Sequence, residues 1–192
     1  MGGKNHPSSL PSRAWRSVFP TDLYRGSEEK EQIICDIIGK MFDIERVSKK
    51  IIRTFKNGSF CFVIGCGGSA SLSTHLSTEL IGKFKKQRRA LPCLSLTDNT
   101  SIITAIVNDF GGDFMFSRQL EAFGKKGDLL ITMSTSGTSP SILNAKKRAR
   151  EMGINVISFP TNLECGSETD VTQNYHLELI HGISEIVENA FI

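Results

Sequence analysis

The sequence predicts an α/β protein, a three-layer sandwich with helices on both faces of a parallel sheet. Three observations carry this. Short apolar runs alternate with segments of helical periodicity along the chain. The runs are apolar throughout rather than every second residue, the pattern of strands buried on both faces. Two of them lead straight into turns rich in glycine and hydroxyl side chains, and in such folds ligands bind at strand C-terminal ends.

The elements follow in order. Residues 1–20 are polar, contain Pro and Ser, and read as a flexible tail; residues 21–192 read as one domain. Within 27–57, Ile33, Ile34, Ile37, Ile38, Met41, Ile44, Val47, Ile51 and Ile52 recur at helical spacing, and Gly58 ends the pattern. Phe60–Ile64 is a buried strand, 65–69 a tight glycine turn, and Ala70–Phe84 a helix. A second strand, Leu91–Leu96, precedes helices over Ser101–Val107 and Asp113–Phe123. Asp128–Met133 is the third strand, 141–151 a helix, Asn155–Phe159 the fourth strand and Asn174–Ile192 the terminal helix.

The stretch 129–140, Leu-Leu-Ile-Thr-Met-Ser-Thr-Ser-Gly-Thr-Ser-Pro, carries the strongest chemical signal. Ser139 stands where a helix N-cap belongs and Pro140 at the first helical position. Ser134, Thr135, Ser136 and Ser139 thus surround a helix N-terminus, where free N–H groups and the helix dipole favour an anion such as phosphate. No Lys follows the glycine, so this is not a nucleoside-triphosphate loop. The other turn, Gly-Cys-Gly-Gly-Ser-Ala (65–70), has Ala70 where the dinucleotide fingerprint requires a third glycine. Its glycines permit close backbone approach to a ligand, and Ser69 can cap the next helix.

Proton-transfer groups lie on two helices. His75 and Glu79 are four residues apart and share a face; such a pair serves as acid and base, as two metal ligands, or as a plain surface pair. Gln173 and His181 are about 12 Å apart along one helix and nearly on one face, near the full stretch of two side chains meeting at one ion, which leaves open one chain or two subunits as the source of a site using both. His176 reads as a packed or solvated histidine.

These residues resemble the sugar isomerase (SIS) domain family, and within it the phosphoheptose isomerases. The likeness rests on 65–70, His75-x-x-x-Glu79-Leu, Asn108-Asp109-Phe-Gly, Phe116-Ser-Arg, Gly127-Asp-Leu-Leu, 134–139 and Gln173 through His181. It implies a flavodoxin-like sheet and a zinc ion held by His75, Glu79, Gln173 and His181. It further implies Glu79 and His181 as catalytic base and acid. Ser69, Ser134, Thr135, Ser136 and Ser139 would hold the substrate, with Asp109, Asp170, Lys83 and Gln173 completing the pocket. The implied reaction converts sedoheptulose 7-phosphate to an aldoheptose 7-phosphate for lipopolysaccharide or a related glycoconjugate, in a homotetramer with sites between subunits. The alternative is a non-catalytic family member, a phosphosugar sensor or protein-binding module of the DnaA-binding kind. Such members lose the acid and base that Glu79 and His181 supply here. Three departures stand out: Cys66 in place of the usual Asn, Lys83 in place of the usual Arg, and a short 162–169 segment. That segment is too short for both the family's glycine-rich loop and its additional strand, so the sheet's last strand is expected to be missing or replaced.

Composition narrows the classes. Hydrophobic residues make up 39% and charged residues 22%, with a net charge of +3, too little to suggest nucleic acid. No apolar run is long enough to span a membrane, and the N-terminus lacks the apolar segment of a signal peptide. The five cysteines form no CxxC pair, so reduced thiols in a cytoplasm are expected.

Overall fold

The computed structural model describes residues 44–162 and 168–192. The tail 1–20, the first part of the 27–57 helix, and most of the short 162–169 segment lie outside the described residues. Among those described, helices and parallel strands alternate: α1 (Ile44–Lys56), β1 (Cys61–Gly65), α2 (Gly68–Ile81), β2 (Cys93–Ser95), α3 (Thr100–Phe110), α4 (Ser117–Phe123), β3 (Leu129–Met133), α5 (Pro140–Glu151), β4 (Asn155–Ser158) and α6 (Thr169–Asn189). A 3₁₀ turn, Gly112–Phe114, links α3 to α4.

Four parallel strands pair in the order β2-β1-β3-β4. The two central strands are buried at every residue, which is why their sequences are apolar without alternation. Phe62, Ile64 and Leu130 point to the face covered by α4 and α5, where they pack with Phe116, Leu120, Ile142, Ala145 and Ala149. By the pleat of the strands, Cys61, Val63, Leu129 and Ile131 point to the opposite face. There α6 packs on both α1 and α2, and α1 and α2 on β1. Burying each large apolar side chain contributes about 1.5–3 kcal/mol. Asp128, fully buried, ties the two central strands at their entry: its carboxylate accepts the N–H groups of Phe60 and Lys125, both at 2.9 Å.

The structure corrects several boundaries. α2 stops at Ile81 rather than Phe84 because Arg88 takes over the terminal carbonyls, donating to Gly82 O (2.7 Å) and Glu79 O (2.6 Å). The second strand narrows to Cys93–Ser95 at the sheet edge, although Leu96 N–H still donates to Val63 O. α3 starts earlier than expected because the Asn99 side chain caps it, accepting Ile102 N–H at 3.0 Å. The expected 113–123 helix divides into the 3₁₀ turn and α4. α6 begins at Thr169, ahead of the expected Asn174.

Candidate active site

β2 and β3 flank β1 on opposite sides, so the sheet reverses its winding between β1 and β3. The crevice above such a switch point is where open α/β sheets bind ligands. Gly65, the last residue of β1, is in register with Met133, the last of β3. The glycine turn and the Ser/Thr loop therefore leave the sheet side by side.

The two turns touch. Cys66 Sγ lies 3.5 Å from Ser141 Oγ and 3.8 Å from Ser139 Oγ. Ser134 Oγ accepts Gly137 N–H at 3.1 Å, and Ser136 Oγ accepts Thr138 N–H at 3.3 Å, bending the loop over the N-terminus of α5. Thr135 anchors the loop from below, its carbonyl accepting Asn162 N–H. Pro140 opens α5 as expected, but the capping expectation needs correction. Ser139 occupies the N-cap place without a side-chain cap bond; its hydroxyl turns to Ser141 Oγ at 3.1 Å. Ser69 likewise does not cap α2: the N-cap is Gly67, and Ser69 is buried inside the first turn. Without a side-chain cap, the first N–H groups of α5 are suited to an anion.

His75, Glu79 and His181 come together two turns along α2. His75 Nε2 lies 3.2 Å from His181 Nε2 and 3.4 Å from Glu79 Oε1. Two ring nitrogens at hydrogen-bond distance require that one donate and the other accept, so at least one imidazole is neutral. Burial pushes the His181 pKa below its ordinary value, and charge on His75 adds to this, while Glu79 opposes it. Burial and the His75 charge both favour the uncharged imidazole. Between the glycine turn and His75 the helix rises by roughly 10 Å, so an extended ligand, not an isolated anion, spans both ends of the site.

The donors present fit a borderline divalent metal in kind: two imidazole nitrogens and a carboxylate oxygen. Their 3.2 and 3.4 Å separations are near the ~3.3 Å expected between ligands sharing a tetrahedral ion at 2.0–2.1 Å. Among the described residues no group of three or more His, Cys, Asp or Glu is placed to hold a metal ion as it stands, so the fit is one of donor type and pairwise spacing.

Gln173 is placed elsewhere. α2 and α6 run parallel, so Gln173 lies beside Gly68 just as His181 lies beside His75. A Cβ at Gly68 would sit 2.6 Å from Gln173 Nε2, so any larger residue would push that amide aside. Of the four expected ligands, His75, Glu79 and His181 lie together and Gln173 lies apart from them. Asp170 is exposed in the first turn of α6, and Lys83 is exposed just beyond α2. Asp109 is exposed near the end of α3, where its Oδ1 accepts the Asn108 amide at 2.8 Å. His176 is packed: it is fully buried, its Nε2 lies 2.7 Å from Pro160 O, and Phe159 meets it edge-on. Cys61, Cys66 and Cys93 are free thiols.

Three residues that no local motif marks also bear on the site: Phe84, Arg88 and Glu188. The Glu188 carboxylate is 2% exposed and accepts the N–H groups of Phe84, Lys85 and Lys86 at 2.8–2.9 Å, with Arg88 Nε at 3.8 Å. The available signal is an acid two turns beyond His181, near a helix C-terminus where the dipole disfavours it.

The fold and this site define a SIS domain: residues 36–160 match the SIS domain model, and the chain belongs to that family. Among its relatives, a phosphoheptose isomerase of Bradyrhizobium is 39% identical over 160 residues, covering 77% of this chain and 81% of the relative. The phosphoheptose isomerase of Campylobacter concisus is 37% identical over 187 residues, covering 91% of this chain and 99% of that one. The structure of the Neisseria gonorrhoeae phosphoheptose isomerase superposes with a TM-score of 0.75 at 26% identity, over 84% of this chain and 94% of the other. Among the described residues no helix is long and apolar enough to cross a membrane.

Proposed function

We propose that this protein is a phosphoheptose isomerase, interconverting sedoheptulose 7-phosphate and D-glycero-D-manno-heptose 7-phosphate through an enediol(ate). The observation that carries this is the meeting of His75, Glu79 and His181 one ligand length from a Ser/Thr loop at a helix N-terminus. In this reading the loop Ser134–Ser139 holds the phosphate end, and Ser69 holds the substrate beside it. Remote binding energy spent there orients the reacting carbons. Glu79 removes the C1 proton and returns it to C2. His181, neutral at rest, shuttles a proton between the two substrate oxygens. A non-catalytic module has no use for two imidazoles and a carboxylate held in contact, so the enzymatic reading is favoured. The test is incubation with sedoheptulose 7-phosphate in D₂O. Aldoheptose 7-phosphate labelled at C2 is expected, and an unchanged substrate pool overturns the reading.

Zinc is proposed as the resident metal, with His75, Glu79 and His181 as its ligands here. When bound it stabilises negative charge on substrate oxygens as a Lewis acid. Protein purified without chelator should carry zinc by elemental analysis, and His75→Ala should lose it. Full activity after exhaustive chelation would count against the metal.

We also propose a homo-oligomer, on the model of a tetramer with sites between subunits. The support is α3: its sequence includes Ile102, Ile103, Ile106, Val107 and Phe110, yet none of its residues is buried. Val107 and Phe110 are 42% and 49% exposed, a patch that marks an interaction surface. A second copy on this face would enclose Asp109. The double variant Val107→Glu/Phe110→Glu should shift the mass by light scattering to a smaller species, and a monomeric parent protein would overturn the proposal. A cytoplasmic location and a role in lipopolysaccharide assembly belong to the same reading.

A further inference from the structure

We propose that Phe84 is a positioning residue that orients the His181 imidazole, and that the buried Glu188–Arg88 pair holds Phe84 in place. The inference rests on the isomerase reading and adds a device to it.

Phe84 stacks on His181, with ring centroids 5.6 Å apart and an interplanar angle of 21°. His181 also meets His75, centroids 5.2 Å apart, at 57°. The imidazole is thus fixed by one flat apolar contact and one polar contact. An aromatic face restrains ring rotation without competing for the nitrogens, which a hydrogen-bonding neighbour would do.

Phe84 lies beyond α2 in a segment without regular secondary structure and needs an anchor of its own. The anchor is Glu188, on the same helix as His181 and two turns further on. Its Oε1 accepts Phe84 N–H at 2.9 Å, and its Oε2 accepts Lys85 N–H and Lys86 N–H at 2.8 Å each. Three successive N–H groups gathered on one carboxylate leave the Phe84 backbone little freedom. Arg88 closes the arrangement. Its side chain is fully buried; Nε faces Glu188, and the Nη groups bind Glu79 O and Gly82 O. One buried ion pair therefore joins the turn of α2 carrying Glu79 to the helix carrying His181. Lys85 reinforces the join from outside, its Nζ 3.0 Å from Glu185 and 5.1 Å from the Phe84 ring centroid.

The test compares Phe84→Leu and Phe84→Tyr with the parent enzyme, using sedoheptulose 7-phosphate. Leucine keeps apolar volume and loses the flat face; tyrosine keeps the face. Phe84→Leu should lose kcat by about 10- to 100-fold, the scale of a small misplacement of a reacting group. KM should change by less than about threefold, since the phosphate end is untouched. Phe84→Tyr should restore kcat. Independently of turnover, the His181 Hε1 resonance, assigned by its loss in His181→Ala, should move in Phe84→Leu and return in Phe84→Tyr. Parental kcat and an unmoved resonance in Phe84→Leu overturn the inference alone. Equal losses in kcat/KM and thermal stability that tyrosine fails to rescue overturn it too, in favour of a packing role. An inactive parent overturns the isomerase reading and this inference with it.

Discussion

Glu79→Gln is expected to lower kcat for sedoheptulose 7-phosphate by about 10²–10⁴-fold, the range that a positioned general base contributes. The substitution is nearly isosteric. The amide oxygen that replaces Glu79 Oε1 can still accept from His75, so the 3.4 Å contact survives in geometry while the proton acceptor is lost. The side chain is 19% exposed, so neither burial nor packing changes much. Thermal midpoints of the metal-free proteins should therefore coincide while activity collapses. Exchange of substrate hydrogen with solvent should vanish in parallel, because both depend on removing the C1 proton. Activity within a few fold of the parent, with exchange intact, would remove Glu79 from the mechanism. His181→Ala should also abolish turnover, but that variant loses the stacking partner of Phe84 as well and reports less cleanly on proton transfer.

Much of the site is legible in the sequence because it is local. The Ser134–Ser139 loop is read off consecutive residues, and the His75–Glu79 spacing places both on one face of a helix whatever surrounds it. The relation of His181 to His75 is different in kind. It depends on α2 and α6 running parallel and in step, which no short-range pattern encodes. The same alignment sends Gln173 to Gly68, away from His75 and His181. Capping departs from expectation for a physical reason: Ser139 and Ser69 have the right residue type, but neighbouring hydroxyls and burial claim their side chains. At α3 the Asn99 cap starts the helix one residue before the expected Ser101. The anchoring of 84–88 is invisible in the sequence because it joins one carboxylate to consecutive backbone N–H groups, which carry no residue signature.

Glu188→Ala should be the most destabilising single change outside the apolar core. The carboxylate satisfies three backbone N–H groups and faces a fully buried Arg88 side chain. Removing it leaves a buried cation without its counter-charge, which typically costs about 3–5 kcal/mol. Burial alone would raise the Glu188 pKa, but the N–H bonds from Lys85, Phe84 and Lys86, together with Arg88, outweigh it and hold the pKa below its ordinary value. The sign of the pH dependence follows. A carboxylate with a lowered folded-state pKa contributes its full stabilisation above its unfolded pKa, and that contribution disappears as pH falls through the lower folded value. Urea unfolding at a series of pH values should show the gap between the parent and Glu188→Gln at full size near neutrality. The gap should shrink below the ordinary glutamate pKa of about 4.3. A gap that is constant across this range, or that widens toward acid, would show that Glu188 does not act as an ionised anchor. Arg88→Lys gives the complementary measurement. Lysine keeps the charge but loses the fork that reaches Glu79 O and Gly82 O, so α2 should fray at its C-terminal turn while most of the acid sensitivity remains.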